Sequence, residues 1–239
     1  MPTISKTISL NEWNALFRGR DTSKILRLDR TGLPINEIHI KGSTALIENE
    51  DVLRIAIVGT RDISPYGKEC TRRIINALAK NPAKPFIISG LAMGVDTEAF
   101  VQALHCGLPA IAVLPTGLDT IYPYQNRSLA KDIASTPGSC LLSQFPEKTA
   151  PTPIHFLSRN NVIAAISDIV IVVESKSKGG ALVTARYGYD LGAKVFAVPG
   201  RIDDIRSAGC NDLIQKGLAS ILTDFETLSQ LSTKNIKKM

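Results

Sequence analysis

The chain has 239 residues, 44% of them hydrophobic and 21% charged, enough for one doubly wound domain with a short appendage and a substantial core. Aromatics are only 5%, so the core rests on Ile, Leu, Val and Ala, and the net charge of +6 favours an anionic partner without dictating a fold. The 4 cysteines (Cys70, Cys106, Cys140, Cys210) and 3 histidines are scattered without metal-ligand or disulfide spacing, and no apolar run reaches membrane-span length; a cytoplasmic protein with no metal, cofactor or membrane segment is expected.

Residues 1–50 read as an N-terminal extension. Trp13, Leu16 and Phe17 share one face of a short helix, and the stretch 38–41 alternates up to Gly42 as an edge strand or hairpin does. Its plain reading is a small adaptor packed on the main domain. From 51 to 224, short apolar runs alternate with amphipathic segments. Strands are predicted over 54–59 (RIAIVG), 86–89 (FIIS), 110–114 (AIAVL), 140–143 (CLLS), 168–173 (DIVIVV) and 194–198 (KVFAV), each β-branched and nearly all apolar. Helices are predicted over 66–78, 95–105, 126–133, 162–166 and 181–191. Repeated βα units imply right-handed crossovers: an α/β, Rossmann-like, doubly wound and mostly parallel sheet with helices on both faces. The stretch 225–239 reads as a terminal helix fraying into Lys234, Lys237 and Lys238.

In such a sheet, ligands collect beyond the carboxyl ends of the strands. The strand tips here are rich in small residues: Gly59-Thr60-Arg61, Ser89-Gly90 followed by Met93-Gly94-Val95-Asp96, Pro115-Thr116-Gly117, Gly179-Gly180 and Pro199-Gly200. A single glycine turn is ordinary. Five on one edge point to a phosphate-binding crevice, because small residues admit close backbone approach and helix starts attract anions.

Gly59-Thr60-Arg61 matches neither the dinucleotide fingerprint nor a P-loop. It offers a hydroxyl, backbone amides and a guanidinium suited to phosphate, with a surface ion pair as the alternative for Arg61. Arg159-Asn160-Asn161 stands just before the helix expected at 162; Asn161 is its default cap and Arg159 the better ligand candidate. Lys176 and Lys178 flank the Gly179-Gly180 helix start, as ligands or as solvated lysines. Asp96 is expected to orient the turn from Ser89 to Gly94 through backbone amides, and Glu174 to do likewise. No histidine or paired carboxylate offers a catalytic arrangement, so no catalytic residue is assigned.

The segments IAIVGTR, SGLAMGVDTEA, AVLPTGLDTIYPYQNRSLA, LLSQFP, SRNNVIAAIS, VVES, GGALVTA, VFAVPGRIDD and SAGCNDLIQKGLA follow in order between Ile38 and Leu222. Together they resemble DNA-processing protein A, also called Smf. The resemblance implies a Rossmann-like core that binds single-stranded DNA without hydrolysing it, protects incoming strands, loads a RecA-type recombinase in natural transformation and works as a homodimer. Carried over by motif, Arg61 contacts the DNA backbone beside Ser89-Gly90, Arg159 and Asn160 line the same pocket, and Lys178 stands at its rim. With the strand-tip residues this makes a DNA site of Gly59, Thr60, Arg61, Ser89, Gly90, Gly94, Asp96, Arg159, Asn160, Lys178 and Gly180. The sequence departs from the family where Met93, Ser158 and Asn161 stand in place of basic residues, which predicts a shallower salt dependence. We also expect no room for the family's frequent C-terminal winged-helix-like module. Two rival readings use the same crevice: a nucleotide-binding sensor, and an enzyme resembling the phosphoribohydrolases, which need a glutamate that the turn 178–184 lacks.

Overall fold

A computed structural model of the chain describes residues 5–9, 12, 31, 33, 35–43, 49 and 51–236. Trp13, Leu16 and Phe17, and Lys237 and Lys238, lie outside the described residues.

The described strands are β1 (Ser5–Ser9), β2 (Glu37–Gly42), β3 (Arg54–Val58), β4 (Phe86–Ser89), β5 (Ala110–Leu114), β6 (Cys140–Ser143), β7 (Ile169–Val172), β8 (Lys194–Ala197) and β9 (Ser220–Ile221). They form one sheet in the order β1-β2-β6-β5-β4-β3-β7-β8-β9. Every pairing from β6 across to β9 is parallel, whereas β2 pairs antiparallel with both β1 and β6, so β2 alone runs against the other strands. The helices are α1 (Pro65–Ala79), α2 (Val95–His105), α3 (Arg127–Ser135), α4 (Pro153–Ala165), α5 (Gly180–Asp190), α6 (Ala208–Gln215) and α7 (Thr233–Ile236).

The alternation of strand side chains divides the core. Ile55, Ile57, Ile87, Ile169 and Ile171 pack with Ile74 and Ile75 of α1 and Val95 and Ala99 of α2. Their neighbours Ala56, Val58, Ile88 and Val170 pack with Val162 of α4, Leu182 of α5 and Leu213 of α6. Phe100 and Ile133 close a third cluster over β5. Both sheet faces are thus dry, which is why the parallel strands read as unbroken apolar runs. At about 25 cal/mol per Å² such burial is the dominant favourable contribution to the fold. The sheet order reverses beside β3, with β4 on one side and β7 on the other. That switch point lies at the tips carrying Gly59 and Glu174.

Several sequence expectations change. The stretch 38–41 is a strand, but β2 is an inner strand flanked by β1 and β6. Ile8, Ile38 and Ile40 pack into the same core as Val113 and Leu142, so the N-terminal strands complete the main sheet. The helix expected at 162 begins at Pro153, with Thr152 as its N-cap accepting from the His155 amide. Pro at the first turn and a threonine cap are favourable helix starts. Asn161 is consequently a buried mid-helix residue and not a cap. Beyond Phe225 a 3-10 turn (Glu226–Gln230) precedes the short α7, in place of one continuous helix. Its course is set by docking: Leu228 and Leu231 join the α1 side of the core, and Asn81 Nδ2 donates to the Leu231 carbonyl at 2.7 Å. Among the described residues no helix is long and apolar enough to cross a membrane.

Candidate nucleic-acid interface

The crevice lies at the carboxyl ends of β3, β4 and β5. Arg61, Gly90, Ala92, Met93, Tyr122, Pro123 and Phe156 line it. Arg61 is exposed, and its guanidinium carbon stands 5.0 Å from the centroid of the Phe156 ring. The ion pairs found among the described residues leave Arg61 without a carboxylate, so the surface ion pair considered from sequence is replaced by a cation–π contact. Tyr122 meets Phe156 edge-on, with centroids 5.6 Å apart and planes inclined at 71°. A free guanidinium beside two rings is chemically suited to a phosphate and an unstacked base.

The residues behind this lining hold it in place. Gly94 has φ +82, and a Cβ there would overlap the Thr60 carbonyl; only glycine lets the β4–α2 turn lie against the Thr60-Arg61 backbone. The Val95 amide donates to that carbonyl at 3.1 Å. Gly59 abuts Val95, so its small size serves helix packing and not an approach by ligand. The Thr60 amide donates to the Glu174 carbonyl at 2.8 Å, and the Thr60 hydroxyl accepts from the Asp62 amide at 3.2 Å. The Thr60 amide is therefore engaged within the protein, whereas its hydroxyl is used there as an acceptor. Ser89 is fully buried and its hydroxyl donates to the Ile57 carbonyl at 2.6 Å.

Asp96 acts as expected on its turn, accepting from the Gly90 amide at 3.0 Å and the Ala92 amide at 3.2 Å. Burial pushes its carboxyl above the ordinary range, opposed by Arg159 and these amides. Glu174 works elsewhere: it accepts from the Ser64 amide at 3.0 Å and from the Ser64 hydroxyl, fixing the start of α1.

Arg159 is 5% exposed. Its Nη1 donates to the Gly90 carbonyl and, at 3.0 Å, to the Val113 carbonyl, joining α4 to the ends of β4 and β5. Burial lowers the guanidinium to about 10, with Asp96 pulling it back up and Arg61 adding to the fall. Asn160, next along the helix, turns toward α5, its Nδ2 donating to the Gly180 carbonyl at 3.4 Å. Lys178 and Gly180 are exposed at that helix start. The structure thus gathers Arg61, Gly90, Gly94, Asp96 and Arg159 on one side of α4, and Asn160 and Gly180 on the other.

Tyr122, Pro123 and Phe156 were not singled out by sequence. For Tyr122 the legible signal was a scarce aromatic in the segment after a strand, where a core explanation is weakest; Phe156 stands near the start of α4 and was hidden with it. Cys140 and Cys210 are buried, with thiols pushed up to about 12, as inert core cysteines are.

Fold and crevice together define a Rossmann-like α/β protein with a cationic, aromatic-lined cleft at its strand tips. The chain belongs to the DNA recombination-mediator protein A family, whose model matches residues 25–233. It is 40% identical over 177 residues to Protein Smf of Synechocystis sp., covering 74% of this chain and 44% of that protein. It is 37% identical over 185 residues to DNA processing protein DprA of Streptococcus pneumoniae, covering 76% and 64%. The chain therefore spans less than two thirds of the length of these relatives. The solved DNA processing protein A of Helicobacter pylori, described for its single-stranded DNA binding mode, superposes with TM-score 0.79 at 29% identity, covering 98% of this chain and 96% of that one. The S. pneumoniae structure gives 0.74 at 31% identity, covering 93% and 77%. A molybdenum cofactor binding protein from Rippkaea orientalis, at 16% identity and TM-score 0.53, shares the fold alone.

Proposed function

We propose that this chain binds single-stranded DNA in the crevice without cleaving it, protects the strand, and as a homodimer delivers it to a RecA-type recombinase. The observation that carries the reading is Arg61: an exposed guanidinium, unpaired with any carboxylate among the described residues, stacked 5.0 Å from Phe156. A sugar-phosphate chain needs a cation, and unstacked bases need aromatic faces. Family membership and the likeness to the H. pylori protein support the same ligand. Arg159, Gly59, Thr60, Ser89, Gly94 and Asp96 contribute as the frame of this site, and Asn160, Lys178 and Gly180 as its outer edge.

Hydrolysis is disfavoured by Glu174, the acid at the strand tips beside β7. It is 1% exposed and bonded to Ser64, so this carboxylate is committed to the start of α1 and is not poised for proton transfer.

Fluorescence anisotropy with single-stranded DNA, duplex DNA and mononucleotides, at two salt concentrations, tests the proposal. Single strands should bind in preference, and Arg61→Ala should weaken binding to every sequence while flattening the salt slope by about 0.7 to 1. Saturation by a mononucleotide would favour the sensor reading. Unchanged affinity in Arg61→Ala would remove Arg61 from the site.

A further inference from the structure

The segment between β5 and α3 carries a ring that the crevice lining leaves out. Tyr124 is 69% exposed and opens the 3-10 turn Tyr124–Asn126, directly after Tyr122 and Pro123, which do line the crevice. The Arg127 guanidinium carbon stands 4.5 Å from the Tyr124 ring centroid. A single exposed ring is unremarkable on a protein surface. Tyr124 differs in three respects that bear on one ligand.

The first is position. Two chain steps separate Tyr124 from Tyr122, so their Cα atoms lie within ~7 Å, and a strand leaving the crevice on this side meets Tyr124 at once. The second is rigidity. Asn126, 5% exposed, donates from Nδ2 to the Leu91 carbonyl at 2.9 Å and to the Thr97 hydroxyl at 2.8 Å. These bonds tie the turn to the same segment that places Met93 in the crevice, so the ring is presented on a fixed base and little freedom is lost on binding. The third is charge. A guanidinium lying against a ring keeps its in-plane N–H donors available to an anion.

We propose that Tyr124 and Arg127 form a second stacking station on the rim of the crevice: Tyr124 takes a nucleobase on its free face while Arg127 contacts the adjoining phosphate. The inference rests on the single-stranded DNA reading above and extends it from the Arg61–Phe156 pair to a second base. Stacking on an aromatic tolerates any base, so the station adds affinity and strand length and no sequence preference. The competing account is that the pair merely staples the first turn of α3.

Replacing the ring with indole gives a direct readout. Tyr124→Trp, compared with the wild type carrying its single tryptophan, is titrated with a single-stranded oligonucleotide and with an abasic strand of equal length. Quenching by the first and not the second is expected. Tyr124→Ala should weaken binding of a long oligonucleotide about five- to tenfold, leave a dinucleotide unaffected, and keep its thermal midpoint. Arg127→Gln should lower the salt slope by about 0.7 while retaining the dependence on bases. Full-affinity binding with no quenching and an unaltered Tyr124→Ala overturns the station and leaves strand binding intact. A lowered midpoint with unchanged affinity assigns the pair to stapling and overturns it too. Failure of every oligonucleotide to bind overturns this inference together with the function it extends.

Discussion

The Arg159 guanidinium occupies the space that a side chain on Gly90 would fill. A Cβ at residue 90 would overlap Nη1, the same atom that donates to the Gly90 carbonyl. Residue 90 is therefore glycine because an arginine from α4 comes up beneath the turn, and Arg159 is positioned to shape the crevice floor on which Arg61 stands. An arginine that sequence would spend on phosphate is here spent mostly on two carbonyls.

Gly90→Ala should expel that guanidinium from its buried position. That leaves Asp96 buried without its cation and the Gly90 and Val113 carbonyls without this donor, a loss of about 3 to 5 kcal/mol. A urea titration should show a fall of that order, with strand binding reduced as the turn shifts. An unaltered urea midpoint would mean that the arginine relocates freely.

Asp96 should make stability depend on pH in a specific direction. Burial raises its carboxyl above the usual 3.8. A carboxyl whose folded value exceeds its unfolded value holds its proton better in the native state. Its contribution is complete below the unfolded value and lost as pH rises through the folded one. Relative to Asp96→Asn, the wild type should gain stability as pH falls from neutral toward about 4. Urea midpoints of the two proteins across that window check this; parallel curves would contradict it.

Met93 is 41% exposed on the crevice wall. Met93→Lys should place a cation near Arg61, tighten single-stranded DNA binding at low salt and steepen the salt slope by about 0.7. Anisotropy at two salt concentrations measures both. Weaker binding would show that the thioether itself contacts the strand.

Asn126→Ala removes the amide that holds the Tyr124 turn against Leu91 and Thr97. It leaves the buried Leu91 carbonyl and the part-buried Thr97 hydroxyl short of a donor, at a cost of about 1 to 3 kcal/mol. Thermal melting should register that loss, and the affinity for long oligonucleotides should fall with it. An unchanged melt would indicate that water replaces the amide.

Local chemistry carried much of this protein. The parallel strands were legible to within a residue or two because burial on both faces demands runs such as Ile55-Ala56-Ile57 and Val170-Ile171-Val172. The glycines at the tips were equally legible, but what they admit is the protein's own packing: Val95 at Gly59, Arg159 at Gly90 and the Thr60-Arg61 backbone at Gly94. The start of α4 was not legible from periodicity, because Ser158, Arg159, Asn160 and Asn161 break the apolar pattern while being buried.

Those side chains go inside because the fold supplies their partners: Gln144 Nε2 for the Ser158 hydroxyl at 2.7 Å, carbonyls of β4 and β5 for Arg159, and the start of α5 for Asn160. Which arginine faces solvent was likewise a tertiary decision. Hydrophobic period and turn chemistry act over a few residues and can be read in order along the chain. The choice of partner for a polar group depends on what distant strands bring beside it, and that exists only once the sheet has formed.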